Sequence, residues 1–322
     1  MSSGSPESCP TYKYGRCDCA HRTHQTLDLP GYSFGARHVQ GANVLLRTLR
    51  AYLPEDVALD GSEMVALSRL RSSMRILRRG EHLIVQGRRH DGIFILTQGF
   101  ALRYRGLSDG RRQVFDIALP GDTLGCSSCF LGTALNTVTA LTRAAVAFVA
   151  SADLNAAMAA LPQLSLALVR CATGETARLS EHLIDVGRRN AHERVAHFLL
   201  EFSARLAAAG IGTADAFSLP ITQVQLADVV GLSIPHTNRV LRCLREEGLL
   251  ELAGTRVEIK NRRALAALAS FDGAYLFPAR RASRVICVPA SACETGHPRL
   301  AASAISRNFS GVAPDTTASV SR

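Results

Sequence analysis

From about residue 73 to 150, apolar runs of four to eight residues are cut by glycines at 80, 87, 92, 99, 106, 110, 121, 125 and 132. Segments 93–97, 100–104, 113–119 and 138–149 predict strands, and Asp109-Gly110 is a strong hairpin-turn signal. So many short strands with turn signals imply a closed or rolled all-β domain. Upstream, residues 42–72 carry Val44, Leu45, Leu49, Leu67 and Leu70 at helical spacing, interrupted by Pro54. Residues 1–41 are polar, hold no sustained period, and read as a flexible arm. After Ser151 the period becomes helical again. Pro162 marks a break, and 163–188 has room for one long helix bearing Leu168, Ala172, Leu179, Leu183 and Val186 at three- and four-residue spacing. Such a stripe either pairs with a copy of itself across a two-fold axis or packs on the roll. Residues 191–208 predict another amphipathic helix, and the Ala/Ser/Arg-rich stretch 278–322 predicts disorder.

The stretch 219–261 holds the sharpest pattern: a short amphipathic helix at 223–230, a turn, a second helix reaching Glu247, and a hairpin. Ala227 is small enough for a second helix to cross closely, and Gly231 supplies the turn. Ser233 is placed to cap the second helix, with Pro235 in the first turn, where a missing N–H breaks no intrahelical bond. At about 100° per residue, Thr237, Val240, Leu241 and Leu244 fall on one side. Pro235, Arg239, Arg242 and Glu246 face away, with His236, Asn238 and Arg245 on the flanks. Two short strands, 249–252 and 256–259, turn at Ala253-Gly254-Thr255. A helix-turn-helix with a β wing, whose second helix is apolar inside and Arg/Asn/His outside, fits the major groove of double-stranded DNA.

Composition narrows this reading. A chain of 322 residues is long enough for two cores. Its formal charge of +10 suits an anionic partner, although part of the excess lies in the tail. No apolar run approaches membrane-spanning length, and the first residues lack the apolar middle of a secretory signal, so a cytoplasmic protein without a membrane partner is expected. Nine cysteines in such a chain read as reduced thiols rather than a disulfide framework. No phosphate-cradling loop or nucleophile–base motif stands out, so no enzyme and no catalytic residue is expected.

A β-roll, a long helix and a winged helix-turn-helix, in that order, resemble the Crp/Fnr family of bacterial transcription regulators. The carriers are QGRRHDGIFILTQGFALRYRGLSDGRRQVFDIALPGD, RRNAHERVAHFLLEF and LADVVGLSIPHTNRVLRCLREEGLL. The resemblance implies an α+β chain with five parts. These are an arm (1–41), a jelly-roll-like double-stranded β-helix of the cyclic-nucleotide-binding type (42–162), a dimerisation helix (163–188), a Crp-type winged helix-turn-helix (189–277) and a tail (278–322). It also implies a homodimer on a palindromic operator that contacts RNA polymerase, with recognition helices one DNA turn apart.

The departures from the family pattern matter more. Members that bind cyclic AMP hold it with a glutamate on the ribose hydroxyl and an arginine on the phosphate, ten residues apart. An ungapped count from Gly121-Asp122 places Cys126 and Asn136 there, and neither supplies that chemistry. Cyclic AMP is therefore not the expected signal. In the reader, Pro235 replaces the family's cytosine-contacting glutamate, whereas Arg239 keeps the arginine suited to guanine O6 and N7. Arg239 is the main expected base reader, supported by His236, Asn238 and Ser233. Thr222, Gln223 and Arg242 are candidate phosphate contacts.

Oxygen sensors of the family hold an iron–sulfur cluster with an N-terminal cysteine cluster plus one cysteine in the roll. Cys9, Cys17 and Cys19 lie in the arm, but the expected fourth position reads Ala147-Phe148-Val149. Cys126 and Cys129 form a CxxC pair able to chelate metal or to form a redox disulfide. No cofactor or metal is assigned. Two alternatives stay open: an iron–sulfur or thiol redox sensor with the same DNA output, and a cyclic-nucleotide signalling module that reads no DNA.

Overall fold

The computed structural model describes residues 72–276. The expectations for the arm, for a helical segment over 42–71, for the tail, and for Cys9, Cys17 and Cys19 lie outside the described residues.

The roll is built from two antiparallel four-stranded sheets. One has the order β1 (Ser73–Leu77), β8 (Ala144–Ala150), β3 (Gly92–Gln98), β6 (Thr123–Leu124). The other runs β2 (His82–Ile84), β7 (Thr137–Ala140), β4 (Ala101–Gly106), β5 (Arg112–Ala118). Phe94, Leu96, Val146, Ala101, Val138 and Ala140 meet between the sheets. On the back of the first sheet, Ile93, Ile95, Ala147 and Val149 pack under the helices that follow. Because both faces of β3 are covered, its sequence is a continuous apolar run rather than an alternation.

The predicted single strand over 138–149 is two strands. Leu141, Thr142 and Arg143 carry the chain from the second sheet to the first, so β7 and β8 belong to different sheets. The crossing needs no Gly or Pro of its own, which is why the apolar pattern hid it. The glycine lies across from it instead: Gly99, at φ +79°, lets the backbone of Arg143 and Ala144 approach to where a Cβ would clash, at 2.3 and 2.8 Å.

A short helix, α1 (Cys126–Leu131), connects β6 toward β7. After β8 come α2 (Ser151–Ala160) and α3 (Pro162–Gly187), which meet at an angle of 119°. Pro162 sits in the first turn of α3, the place a helix tolerates it. Among the described residues no single helix is long and apolar enough to cross a membrane.

The C-terminal domain opens with α4 (Ala191–Ala208) and adds β9 (Ala216–Ser218), α5 (Gln223–Val230), α6 (Ile234–Glu246), β10 (Leu250–Ala253), β11 (Arg256–Ile259) and α7 (Arg262–Ala269). The wing has three strands in the order β10-β11-β9. Its first strand was not legible, because Ala216–Ser218 is too short to show a period.

The two domains share one core. Phe100, Leu102, Val114 and Ile117, on the back of the second sheet, join Val195, Leu199, Phe202 and Leu206 of α4 and the apolar faces of α5 and α6. Each fully buried Leu or Ile contributes about 1.5–3 kcal/mol, so the docking is substantial. Beside this apolar contact runs a buried ionic seam. Arg205 of α4 bonds Asp116 of β5 at 2.8 Å and Asp122 at 2.7 Å. Arg103 of β4 donates to the Thr123 carbonyl and, at 3.1 Å, to Glu175 of α3. His182 of α3 donates through Nδ1 to the Phe115 carbonyl at 2.8 Å, and its Nε2 lies 3.0 Å from Glu201 of α4.

Burial alone would raise the Asp116 pKa, but Arg205, Arg178 and Arg103 hold its carboxyl well below the usual carboxylate range. For His182, burial pulls the pKa down while Glu201, Asp116 and Asp185 more than offset it, raising it to about 9. Both ring nitrogens therefore carry protons at neutral pH, in agreement with an acceptor on each side.

Candidate nucleic-acid interface

Each helix of the reader is fixed at its start by its own sequence. Thr222 caps α5 in a reciprocal box: its Oγ1 accepts from the Gln225 N–H at 3.2 Å, and Gln225 Oε1 accepts from the Thr222 N–H at 2.9 Å. At the other end, Gly231 turns the chain at φ +64°. Ser233 then caps α6, accepting from the His236 N–H at 3.4 Å. A second box, Asn190 with Glu193, starts α4. Both boxes were visible as T-x-x-Q and N-x-x-E signals, and sequence reading passed over them.

The inner face of α6 is the expected one: Thr237, Val240, Leu241 and Leu244 are buried. The Thr237 hydroxyl is satisfied within the helix by the Ser233 carbonyl, 3.1 Å away. Outward, His236, Arg239, Arg242 and Arg245 are exposed together. Among the described residues none of the three arginines is held in an ion pair, so their guanidinium forks are unengaged. Such a face can donate to base edges and phosphates without first breaking internal bonds.

The remaining expected contacts sit differently. Asn238 is half-buried and donates through Nδ2 to Gln223 Oε1 at 3.2 Å, so these two residues brace α5 against α6. Asn238 Oδ1 is buried without a partner among the described residues. Thr222 and Ser233 spend their oxygens as caps, leaving their hydroxyl hydrogens to donate. Pro235 is exposed at the start of α6 and offers no polar group. An open groove of about 500 Å³ beside the reader is lined by Asn190, His192, His236 and Glu247.

The long helix shows two faces. Leu164, Ala167, Leu168 and Cys171 are buried against the roll. Leu168 was expected in the outward stripe, and the structure corrects this: the stripe begins one residue later, at Val169. Val169, Ala172, Thr176, Leu179, Leu183 and Val186 follow alternating three- and four-residue steps. Val169 is 61% exposed, Leu179 46%, Leu183 70% and Val186 45%.

In the roll, Cys126 begins α1 and is buried among Ile93, Ile95 and Leu164. Burial pushes its thiol up to about 12, so it is neither a ribose acceptor nor a reactive thiolate. Cys129 Sγ lies 3.2 Å from Ser151 Oγ, and both cysteines are free thiols. Among the described residues no group of three or more His, Cys, Asp or Glu side chains is arranged to hold a metal. Asn136 supplies no charge where a cyclic phosphate would need one. The residues at the two nucleotide-binding positions do not fit cyclic AMP.

Comparison with known proteins agrees with this architecture. A cyclic nucleotide-binding domain model matches residues 74–160, and a Crp-like helix-turn-helix domain model matches 193–268. The chain is 30% identical over 214 residues to the transcriptional activator protein FnrA of Stutzerimonas stutzeri, covering 66% of this chain and 87% of FnrA. It is 32% identical to the nitrogen fixation regulation protein FixK of Rhizobium meliloti, covering 59% of this chain and 83% of that protein. The solved structure of FixK2 from Bradyrhizobium japonicum superposes with a TM-score of 0.58 at 27% identity, over 63% of this chain and all of FixK2. A β-roll, a long helix and a capped, arginine-faced reader helix, in a chain this similar to FnrA, place the protein in the Crp/Fnr family of DNA-binding transcription regulators.

Proposed function

We propose that this chain binds a palindromic DNA operator as a homodimer and answers to a signal other than cyclic AMP. The observation that carries the reading is the exposed Arg239, Arg242 and His236 face of α6, set on a buried Thr237–Leu244 face. In this reading Arg239 forks onto guanine O6 and N7, and His236 with Asn238 contacts neighbouring bases. Ser233, at the start of α6, supports that readout, while Thr222 and Gln223 at the start of α5 and Arg242 along α6 hold phosphates. Asn238 would first release Gln223, which then turns to the backbone. Residues 42–162 form the sensor, 163–188 the dimer helix, and 189–277 the reader. The two copies pair along the Val169–Val186 stripe of α3, which otherwise stays in water. Contact with RNA polymerase and residence in the cytoplasm go with this reading, FnrA being named an activator.

Arg239→Ala tests the reader. Operator affinity is expected to fall about 5- to 150-fold, the equivalent of one bidentate base contact. Affinity for unrelated DNA should hardly move, because that term comes from phosphates. An operator affinity equal to wild type would remove Arg239 as the reader.

Cyclic AMP tests the signal. With Cys126 and Asn136 in the two contact positions, millimolar cyclic AMP is expected to leave operator affinity unchanged and to give no saturable heat in calorimetry. A saturable binding isotherm in the micromolar range would contradict this.

A further inference from the structure

The geometry points to Arg194 as the residue that sets the angle between the dimer helix and the DNA reader. Arg194 stands in the first turn of α4, just past the Asn190 cap. Its guanidinium reaches the ends of two other helices. Nη1 donates to the carbonyl of Val230, the last residue of α5, at 2.9 Å. Nη2 donates to the carbonyl of Val186, at the end of α3, at 3.3 Å, and to that of Arg189 at 3.1 Å. The last carbonyls of a helix have no partner within it, and the helix end carries partial negative charge. One planar cation therefore satisfies carbonyls from both helix ends at once, which a single flexible ammonium does not do.

Three features make this a positioning device rather than an incidental cap. Val186 is the last member of the exposed α3 stripe, so one of the bonds goes to the backbone at the end of the helix that pairs with the second copy. Val230 precedes Gly231, the turn that launches α6, so another goes to the hinge of the reader. The ends of the two helices also meet at this point: a Cβ on Gly231 would lie 3.5 Å from Arg194 Nη1 and 3.6 Å from Val186 Cγ1. The seam around Arg205 holds α4 on the roll but touches neither helix end. Arg194 thus links the end of the dimer helix directly to the turn that launches the recognition helix, and so fixes the spacing of the two recognition helices.

This inference rests on the dimeric, palindrome-reading function proposed above, and the test separates the two. Full-length wild type, R194Q and R194K are titrated on palindromes whose half-sites are set at the best spacing or moved apart by two base pairs. An isolated half-site is titrated in parallel. For wild type, moving the half-sites is expected to cost about tenfold or more, because a rigid link holds the second reader at one distance. In R194Q the best-spaced operator should lose about tenfold and the penalty for moved half-sites should shrink to about twofold, with half-site affinity unchanged. R194K keeps the charge without the planar fork and is expected to follow R194Q.

The ratio of affinities at the two spacings does not depend on the folded fraction, so partial misfolding does not blur it. A wild-type spacing profile in either variant would overturn the assignment. Equal loss on half-site and palindrome, with the spacing ratio kept, would overturn it too, since that is general structural damage. A wild type indifferent to spacing would instead defeat the dimer reading itself.

Discussion

Leu183→Glu is expected to convert the protein to monomers and to reduce operator affinity by about 10²–10⁴-fold, the range of avidity that linking two binding events supplies. Leu183 is 70% exposed in the single chain, at the third repeat of the stripe that starts at Val169. In a parallel pair of helices its counterpart lies across the axis, so the substitution places two carboxylates opposite each other in an apolar seam. Burying one unpaired charge is costly, and two of the same sign cost more. The folded monomer should be nearly unaffected, because an exposed side chain away from special features shifts stability by only about 0.5 kcal/mol. Sedimentation, thermal unfolding at low concentration, and titration of a palindrome and of a half-site check the three statements. A variant that still sediments as a dimer would place the interface elsewhere.

Arg205→Met is expected to destabilise the fold by about 3–5 kcal/mol and to loosen the reader from the roll. Arg205 sits at the contact between domains with the buried Asp116 and the partly buried Asp122, and with Glu201 one turn away. Removing the cation leaves Asp116 to Arg178 and Arg103, each at 3.6 Å, and takes from Asp122 its ion pair, the one it makes among the described residues. Breaking a buried pair from one side typically costs this much, because the remaining charge is stranded out of water. The double variant Arg205→Met with Asp122→Asn should recover part of the loss, since it removes one of the stranded charges. Denaturant titration gives the energies, and hydrogen exchange at the β5–α4 contact reports whether docking is lost. An Arg205→Met protein within about 1 kcal/mol of wild type would show that the apolar contact alone holds the domains.

The reader was legible almost residue by residue. Thr237, Val240, Leu241 and Leu244 could be placed inward and Arg239 and Arg242 outward, because a helix of known period on a two-helix corner leaves little freedom. The signals there are local: a small residue at the crossing, a glycine at the turn, a capping serine. The exposed arginines of the reader follow from the same periodicity.

The roll was legible as a class but not in its connections. The break between β7 and β8 is set by Gly99, some forty residues earlier in the chain, and local pattern cannot show a turn made by a distant partner. The long helix was found to within a residue at each end, yet Leu168 was placed in the stripe where Val169 belongs. Both are apolar, and only the roll packed on one side tells them apart. Asn238 and Gln223 were read as separate DNA contacts, while in the fold each is the other's partner.

By itself, then, the sequence determined the identity of the elements, their order, the exposed face of α6 and the two substitutions that argue against cyclic AMP. Each of these is written in residues close along the chain, where spacing and side-chain chemistry suffice. The tertiary structure decided the ionic seam around Asp116 and Arg205, the shared core of roll and reader, and the three carbonyls gathered by Arg194. The hydrogen bonds of the seam join groups up to 89 positions apart, and the shared core pairs residues as distant as Phe100 and Phe202, brought together only by folding. Their energies come from burial and geometry, which no local pattern encodes.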